Sequence, residues 1–363
     1  MKKILILVGT RPNFIKVTQF KKESENWPEM DVKIVHTGQH FDHNMAGVFF
    51  EQFSLQPDFF LEIGQGTPTA QIAQIMLKLE DLCLTQYSPD LLVVPGDVNS
   101  TLAGSLVANK MGIKLAHLES GLRSYDRAMP EEINRLLTDE ISDINFITEK
   151  SGVKNLKDEN KKGRRCFVGN TMIDTLVAFK DEIDRSIILE DLSLKDKSFV
   201  LITIHRPSNV DDKEGLLKLK ELFDFLTLQY KIVFPIHPRT IMRMKSFDLY
   251  DQFTSNANLI LVEPLAYFEF QKLIKHSKLI LTDSGGIQEE STFLSVPCLT
   301  LRDNTERPST IEEGTNTLVP FDVKVIKSYI QSIEDGSYKT GVIPEFWDGK
   351  ATQRIFKVLN EIL

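Results

Sequence analysis

Lys3-Ile4-Leu5-Ile6-Leu7-Val8, followed by Gly9-Thr10-Arg11-Pro12-Asn13, is the stretch on which the fold turns. After Lys3 every position of the run is apolar. The period-two alternation of a half-exposed strand is missing, so burial on both faces is implied, as in a parallel sheet covered by helices. Gly9 ends the strand, and Pro12 at the first position of a following helix is a start signal.

The same unit recurs along the chain. Strand-like runs fall at 31–36, 90–95, 113–118 and 144–148, then at 198–204, 231–236, 258–262, 278–282 and 296–301. Helical periodicity fills 68–86, 100–111, 131–142, 171–184, 212–228, 266–276 and 286–295. Strand–helix alternation in two runs predicts two doubly wound α/β domains with parallel sheets. The division is placed where strand-like Cys166-Phe167-Val168 meets Gly169-Asn170, giving domains 1–168 and 169–349, with an amphipathic helix at 350–363 able to pack back. A weak internal echo supports two halves: Thr10-Arg11-Pro12 follows the first strand of one and His205-Arg206-Pro207 that of the other. The charged run 157–165 (KDENKKGRR) reads as an exposed connection.

The chain has 363 residues, 42% hydrophobic and 26% charged, enough for two sizeable cores. A net charge of −8 argues against a nucleic-acid binder, though a local basic cleft for phosphate remains open. Cys83, Cys166 and Cys298 stand far apart with no CxxC spacing, which fits a reducing cytoplasm better than a disulfide framework. The apolar run after Lys2-Lys3 is too short for a secretion signal, and no run reaches the ~20 residues a membrane helix needs. His36, His40 and His43 lack a recognised ligand pattern, and no metal site is expected.

Ligands of open α/β sheets bind beyond the carboxyl ends of the strands, and this chain concentrates polar residues there. Arg11 and Lys16 flank the first helix start and suit an anion, or are simply solvated cations. The run Val93-Val94-Pro95-Gly96-Asp97 ends a buried strand in a carboxylate; the next strand ends in His117-Leu118-Glu119; then comes Met129-Pro130-Glu131-Glu132. Each acid alone is explained by turn capping or the helix dipole. Three neighbouring acids at one end of a sheet, however, would converge on one crevice, where burial and like charge make a carboxylate a competent base or acid. His205-Arg206 ends the first strand of the second half, as a cap or as a cleft-facing imidazole. The sharpest signal is Thr282-Asp283-Ser284-Gly285-Gly286-Ile287-Gln288-Glu289-Glu290. A strand, a Ser-Gly-Gly turn and a helix start make a phosphate cradle. It is neither a GxGxxG nor a Walker loop, so neither a dinucleotide nor ATP is indicated. Glu290, a turn further on, suits a ribose diol, and Arg302 and Arg307 add cations.

Taken together these segments resemble the non-hydrolysing UDP-N-acetylglucosamine 2-epimerase family: GTRPxxIK at 9–16, GQH at 38–40, PGD at 95–97, HLESGLR at 117–123, MPEEINR at 129–135, GNTMID at 169–174, HR at 205–206, DSGGIQEE at 283–290 and RDxTERP at 302–308. The resemblance implies two Rossmann-like domains of the GT-B type, with a UDP-sugar in the cleft between them. It also implies a homodimer with no metal or other cofactor, no nucleic-acid or membrane partner, and a cytoplasmic location. Residue by residue, it assigns the diphosphate to Ser284, Gly285 and Gly286 with Arg11 and Arg307, the ribose to Glu290, and the uracil to Leu265 and Phe270. Lys16 and Arg135 join the substrate-binding set, and Asp97, Glu119, Glu131 and His205 match the catalytic positions. Where this chain has Asn13 many members carry Glu, and the run Pro207-Ser208-Asn209-Val210-Asp211 differs from the Arg-Glu or Glu-Glu of well-known branches, so a sister UDP-2-acetamido sugar stays open as substrate. A hydrolysing 2-epimerase, a GT-B glycosyltransferase and a non-catalytic nucleotide-sugar sensor are the other readings.

Overall fold

A computed structural model describes residues 1–38 and 50–363. Two compact units emerge: Met1–Ala178 with Glu345–Leu363, and Phe179–Pro344.

In the first unit, β1 (Lys2–Val8), β2 (Met30–His36), β3 (Phe59–Phe60), β4 (Leu91–Pro95), β5 (Lys114–Ser120), β6 (Ile144–Ile147) and β7 (Arg164–Phe167) form a parallel sheet in the order β3-β2-β1-β4-β5-β6-β7 among the described residues. Ile4 pairs with Val32 on one side and with Leu91 on the other. Order therefore reverses between β1 and β4, the topological switch point at which ligands of such sheets bind. The turn after β1 fits tightly. A Cβ on Gly9 would lie 2.2 Å from Ser100 Oγ, so only glycine lets the helix Asn99–Met111 come this close.

In the second unit, β8 (Phe199–Thr203), β9 (Lys231–Pro235), β10 (Leu259–Val262), β11 (Leu279–Thr282), β12 (Cys298–Leu301) and β13 (Asn316–Val319) form a parallel sheet in the order β10-β9-β8-β11-β12-β13. Its reversal falls between β8 and β11, so the echo between the two halves has a topological counterpart. Continuous apolar strands are explained by two cores on opposite faces: Val200, Ile202, Leu279 and Leu281 enter one, and Phe199, Leu201 and Ile280 the other.

Several boundaries differ from expectation. The helix foreseen at 171–184 breaks at Phe179 into Thr171–Ala178 and Lys180–Arg185. The first piece belongs with the first unit, where Thr175 Oγ1 donates to Ile15 O at 2.6 Å. The charged run 157–165 is not all connection, because Arg164 and Arg165 open β7, an edge strand whose exposed charges discourage further pairing. The terminal helix Ala351–Ile362 packs on the first unit, capped by Asp174, which accepts from Ala351 N (3.0 Å), Thr352 N (2.6 Å) and Thr352 Oγ1 (2.7 Å). Cys83, Cys166 and Cys298 are buried free thiols. No helix among the described residues is long and apolar enough to cross a membrane.

Candidate functional site

Beyond β1 and β4, side chains close around Gly96, whose φ of +69° is natural only to glycine. A Cβ there would lie 3.1 Å from Asn13 Nδ2, 3.1 Å from Lys16 Nζ and 3.5 Å from Glu119 Oε2. Asn13, which accepts from Thr10 Oγ1, donates to Pro95 O at 3.0 Å and ties the first helix to the end of β4. Glu119 is itself left-handed, with φ +72°, where the β5–β6 register slips between Leu118 and Ser120. A bulge of this kind re-aims a side chain at a cost of about 1–3 kcal/mol. Here it delivers the buried Glu119 carboxylate, 6% exposed, onto the Lys16 ammonium.

Asp97 is a quarter exposed and pairs through Oδ2 with Arg135 Nη2 at 2.5 Å, while Asn134 Nδ2 donates to its carbonyl at 2.9 Å. Asn134 and Arg135 both come from the helix Pro130–Ile141. Of the paired acids opening that helix, Glu132 is buried and structural. It accepts from Ser124 N (2.9 Å), Ser124 Oγ (3.0 Å) and Tyr125 N (3.1 Å), and it pairs with Arg135. Glu131 beside it is exposed. Arg11 is half-buried at the first helix start, and burial lowers its guanidinium pKa. His36 is buried between Phe50 and Phe60 and accepts from Gly38 N at 2.9 Å; burial drives its pKa down to about 4. Gln39, His40 and His43, which complete the GQH segment and the histidine trio, lie outside the described residues.

In the second unit, Asp283 organises the switch point between β8 and β11. Fully buried, it accepts from Arg206 N (2.8 Å), His205 N (3.0 Å) and Asn209 Nδ2 (3.0 Å), and its Oδ1 lies 3.1 Å from His205 Nδ1. Burial alone would raise its pKa; His205 and these N–H donors outweigh it and hold the carboxyl below the ordinary value. A ring held at Nδ1 leaves Nε2 to a ligand, and the His205 side chain is 50% exposed. The sequence motif alone gives Asp283 no role. The signal that finds it is an acid at a strand end whose neighbouring strand stops in the same layer.

The helix Gly285–Phe293 begins at the Ser-Gly-Gly turn. Over it lies Arg307, so that a Cβ on Gly285 would come 2.9 Å from its Nη1. Arg307 Nη1 pairs with Glu306, and its Nε lies 2.8 Å from Glu289 Oε2. The buried Arg302 donates from Nη2 to the other Glu306 oxygen at 3.1 Å. Two guanidiniums thus meet the carboxylates Glu289 and Glu306 beside a helix N-terminus, whose dipole favours negative charge. Glu290 sits one turn along the helix, buried. Burial, reinforced by Glu289, raises its pKa to about 8 despite the opposing influence of the neighbouring Gln271 amide. Gln271 comes from the helix Tyr267–His276, which also carries the half-buried Phe270; Leu265 precedes it.

The chain is similar to several proteins of named activity. The sequence profile described as UDP-N-acetylglucosamine 2-epimerase matches residues 22–360. A UDP-N-acetylglucosamine 2-epimerase of Methanocaldococcus jannaschii is 42% identical, with 99% of each chain covered. A UDP-2,3-diacetamido-2,3-dideoxy-D-glucuronate 2-epimerase of Pseudomonas aeruginosa is 38% identical over 87% of this chain and 88% of its own. The crystal structure of a Methanocaldococcus jannaschii UDP-GlcNAc 2-epimerase in complex with UDP-GlcNAc and UDP superposes with a TM-score of 0.89, at 40% identity and 99% coverage of both chains.

Proposed function

Since the chain belongs to the UDP-N-acetylglucosamine 2-epimerase family, we propose that it inverts C2 of UDP-GlcNAc to give UDP-ManNAc, without net hydrolysis. The observation that carries this reading is the pairing of functions at the two switch points: acids in hand-to-hand contact with cations at one, an anion cradle with a ribose-suited carboxyl at the other.

The C2 hydrogen is not next to a carbonyl, so deprotonation alone leaves an unstabilised carbanion. Loss of that proton together with departure of UDP from C1 avoids the problem and leaves a 2-acetamidoglucal. Return of a proton to the opposite face of C2, with UDP re-adding to C1, yields the epimer. Both faces need an acid–base group, and Asp97, Glu119 and Glu131 share that work. The Gly285 helix start, Arg307 and Arg11 stabilise the departing diphosphate, and His205, held by Asp283 at Nδ1, assists from Nε2. Ser284 and Gly286 complete the diphosphate turn, Lys16 and Arg135 hold the acids in place, Glu290 takes the ribose, and Leu265 and Phe270 face the uracil.

Incubation with UDP-GlcNAc in D2O tests the reading: deuterium appears at C2 of both epimers with the UDP linkage intact. Accumulation of free N-acetylmannosamine would instead assign the hydrolysing reaction, and an absolute need for a sugar acceptor a glycosyl transfer. The Pseudomonas relative favours a second reading, in which another UDP-2-acetamido sugar is the substrate; comparison of C2 exchange rates between the two sugars decides.

A further inference from the structure

His117 carries no role in the chemistry above, yet it stands at the junction of everything that fixes the acids of the first unit. Its side chain is fully buried, with Nδ1 2.6 Å from Asp139 Oδ1 and Nε2 2.7 Å from Gly96 O. Both partners are acceptors. A neutral imidazole has one N–H and one lone pair. It would therefore point that lone pair at a carbonyl or a carboxylate oxygen at contact distance, in a fully buried setting where such repulsion is poorly screened.

We propose that His117 is a positioning residue that acts as a buried imidazolium, its two N–H groups clamping the Gly96 carbonyl to Asp139 and so holding Asp97 and Glu119 in register. The groups facing it account for the charge. Asp139, on the helix Pro130–Ile141, also accepts from Arg123 Nη1 (2.6 Å) and Gly121 N (3.2 Å) through Oδ2. Arg123 in turn grips Glu159 with Nε and Nη2, both at 2.7 Å. The row His117–Asp139–Arg123–Glu159–Lys161–Glu140 alternates in sign and sums to zero only when the imidazole is charged. Burial alone would raise the Asp139 carboxyl; His117 and Arg123 outweigh it and hold it below the ordinary value, which fits a carboxylate facing two cations.

The clamp acts at the right place. Gly96 N donates to Leu118 O at 2.9 Å, so β5 grips the Gly96 residue from both ends. Asp97 follows directly, and the Gly96 Cα abuts Lys16 and Glu119. Glu119 is also two residues beyond His117 on β5. Loss of the clamp shifts the acids without removing them, and a misplacement of about 1 Å costs on the order of 10²-fold in rate.

This role rests on the acid–base reading of the site, but the decisive measurement does not. Neutron diffraction from a deuterium-exchanged crystal of the unsubstituted protein near neutral pH locates ring deuterons residue by residue. Deuterons on both His117 nitrogens support the proposal, and one alone overturns it whatever the enzyme's substrate. In kinetics, His117→Gln and Asp139→Asn each lower kcat about 10²-fold while KM for the UDP-sugar stays within threefold, and the double variant loses no more than either single one. A rise in KM at unchanged kcat, or additive losses, contradicts the clamp. Variants that do not fold leave the diffraction result to decide.

Discussion

Beyond β1 and β4 each buried or half-buried acid is already matched with a cation, Glu119 with Lys16 and Asp97 with Arg135. Beyond β8 and β11 Arg302 and Arg307 are shared among Glu289 and Glu306, His205 faces Asp283, and the remaining acid, Glu290, is pressed toward its neutral form by burial and by Glu289. The sheets share a strand order through their centres, so the contrast comes from the residues at the strand ends and not from the scaffold. On the proposed reading, the first half exchanges protons through acids held by single cations, and the second holds the diphosphate at a helix start beside two arginines.

The largest effect expected from breaking this contrast is on turnover. Asp97→Asn, Glu119→Gln and Glu131→Gln each depress kcat by about 10²–10⁴-fold with UDP affinity nearly unchanged. Full activity in all three would remove the acids from the reaction. Next in size, Arg307→Ala weakens UDP binding by about 10–100-fold in calorimetry, the worth of a charged hydrogen bond, and lowers kcat less than the acid substitutions do. Reversal of that order would exchange the roles assigned to the two halves.

The smallest effect is a pH dependence at Glu290. Its folded pKa of about 8 stands above the ordinary 4.5, so the folded chain keeps this proton after the unfolded chain has lost it. Stability from this group is therefore greatest at low pH and declines as pH climbs from about 4.5 to about 8. Glu290→Gln removes the decline, and thermal unfolding curves of the two proteins converge toward acid pH. If the ribose hydroxyls donate to the carboxylate, UDP binding releases a proton below about pH 8, which calorimetry in buffers of differing ionisation enthalpy reads directly. Equal proton release by the Gln variant would take Glu290 out of the ribose site.

What the sequence reveals follows from burial. β1, β4, β8 and β11 stand out because both their faces are covered, so their central positions are continuously apolar. β3, two residues long, and β13, which opens on Asn316, carry no such run, and the charges of Arg164-Arg165 disguise the first half of the edge strand β7 as a solvent loop. Site residues are legible where a polar group interrupts an apolar run, as at Asp97, His205 and Ser284. Roles set by distant partners are not. Glu131 and Glu132 look alike at a helix start, and only the loop 124–125 folding back onto Glu132 tells them apart. The tasks of Asp283 and Asp139 are likewise defined by backbone amides and side chains from other segments.

The cap that Asp174 places on the helix Ala351–Ile362, together with Trp347 donating to Thr148 O at 3.0 Å and Phe356 lying against Phe20, makes the final residues of the chain an integral part of its opening half. Ribosomal synthesis runs the other way. The segment Phe179–Pro344 is made between the two stretches that form the first unit, so residues 1–178 wait for Trp347 and Phe356 to be synthesised before their packing is complete.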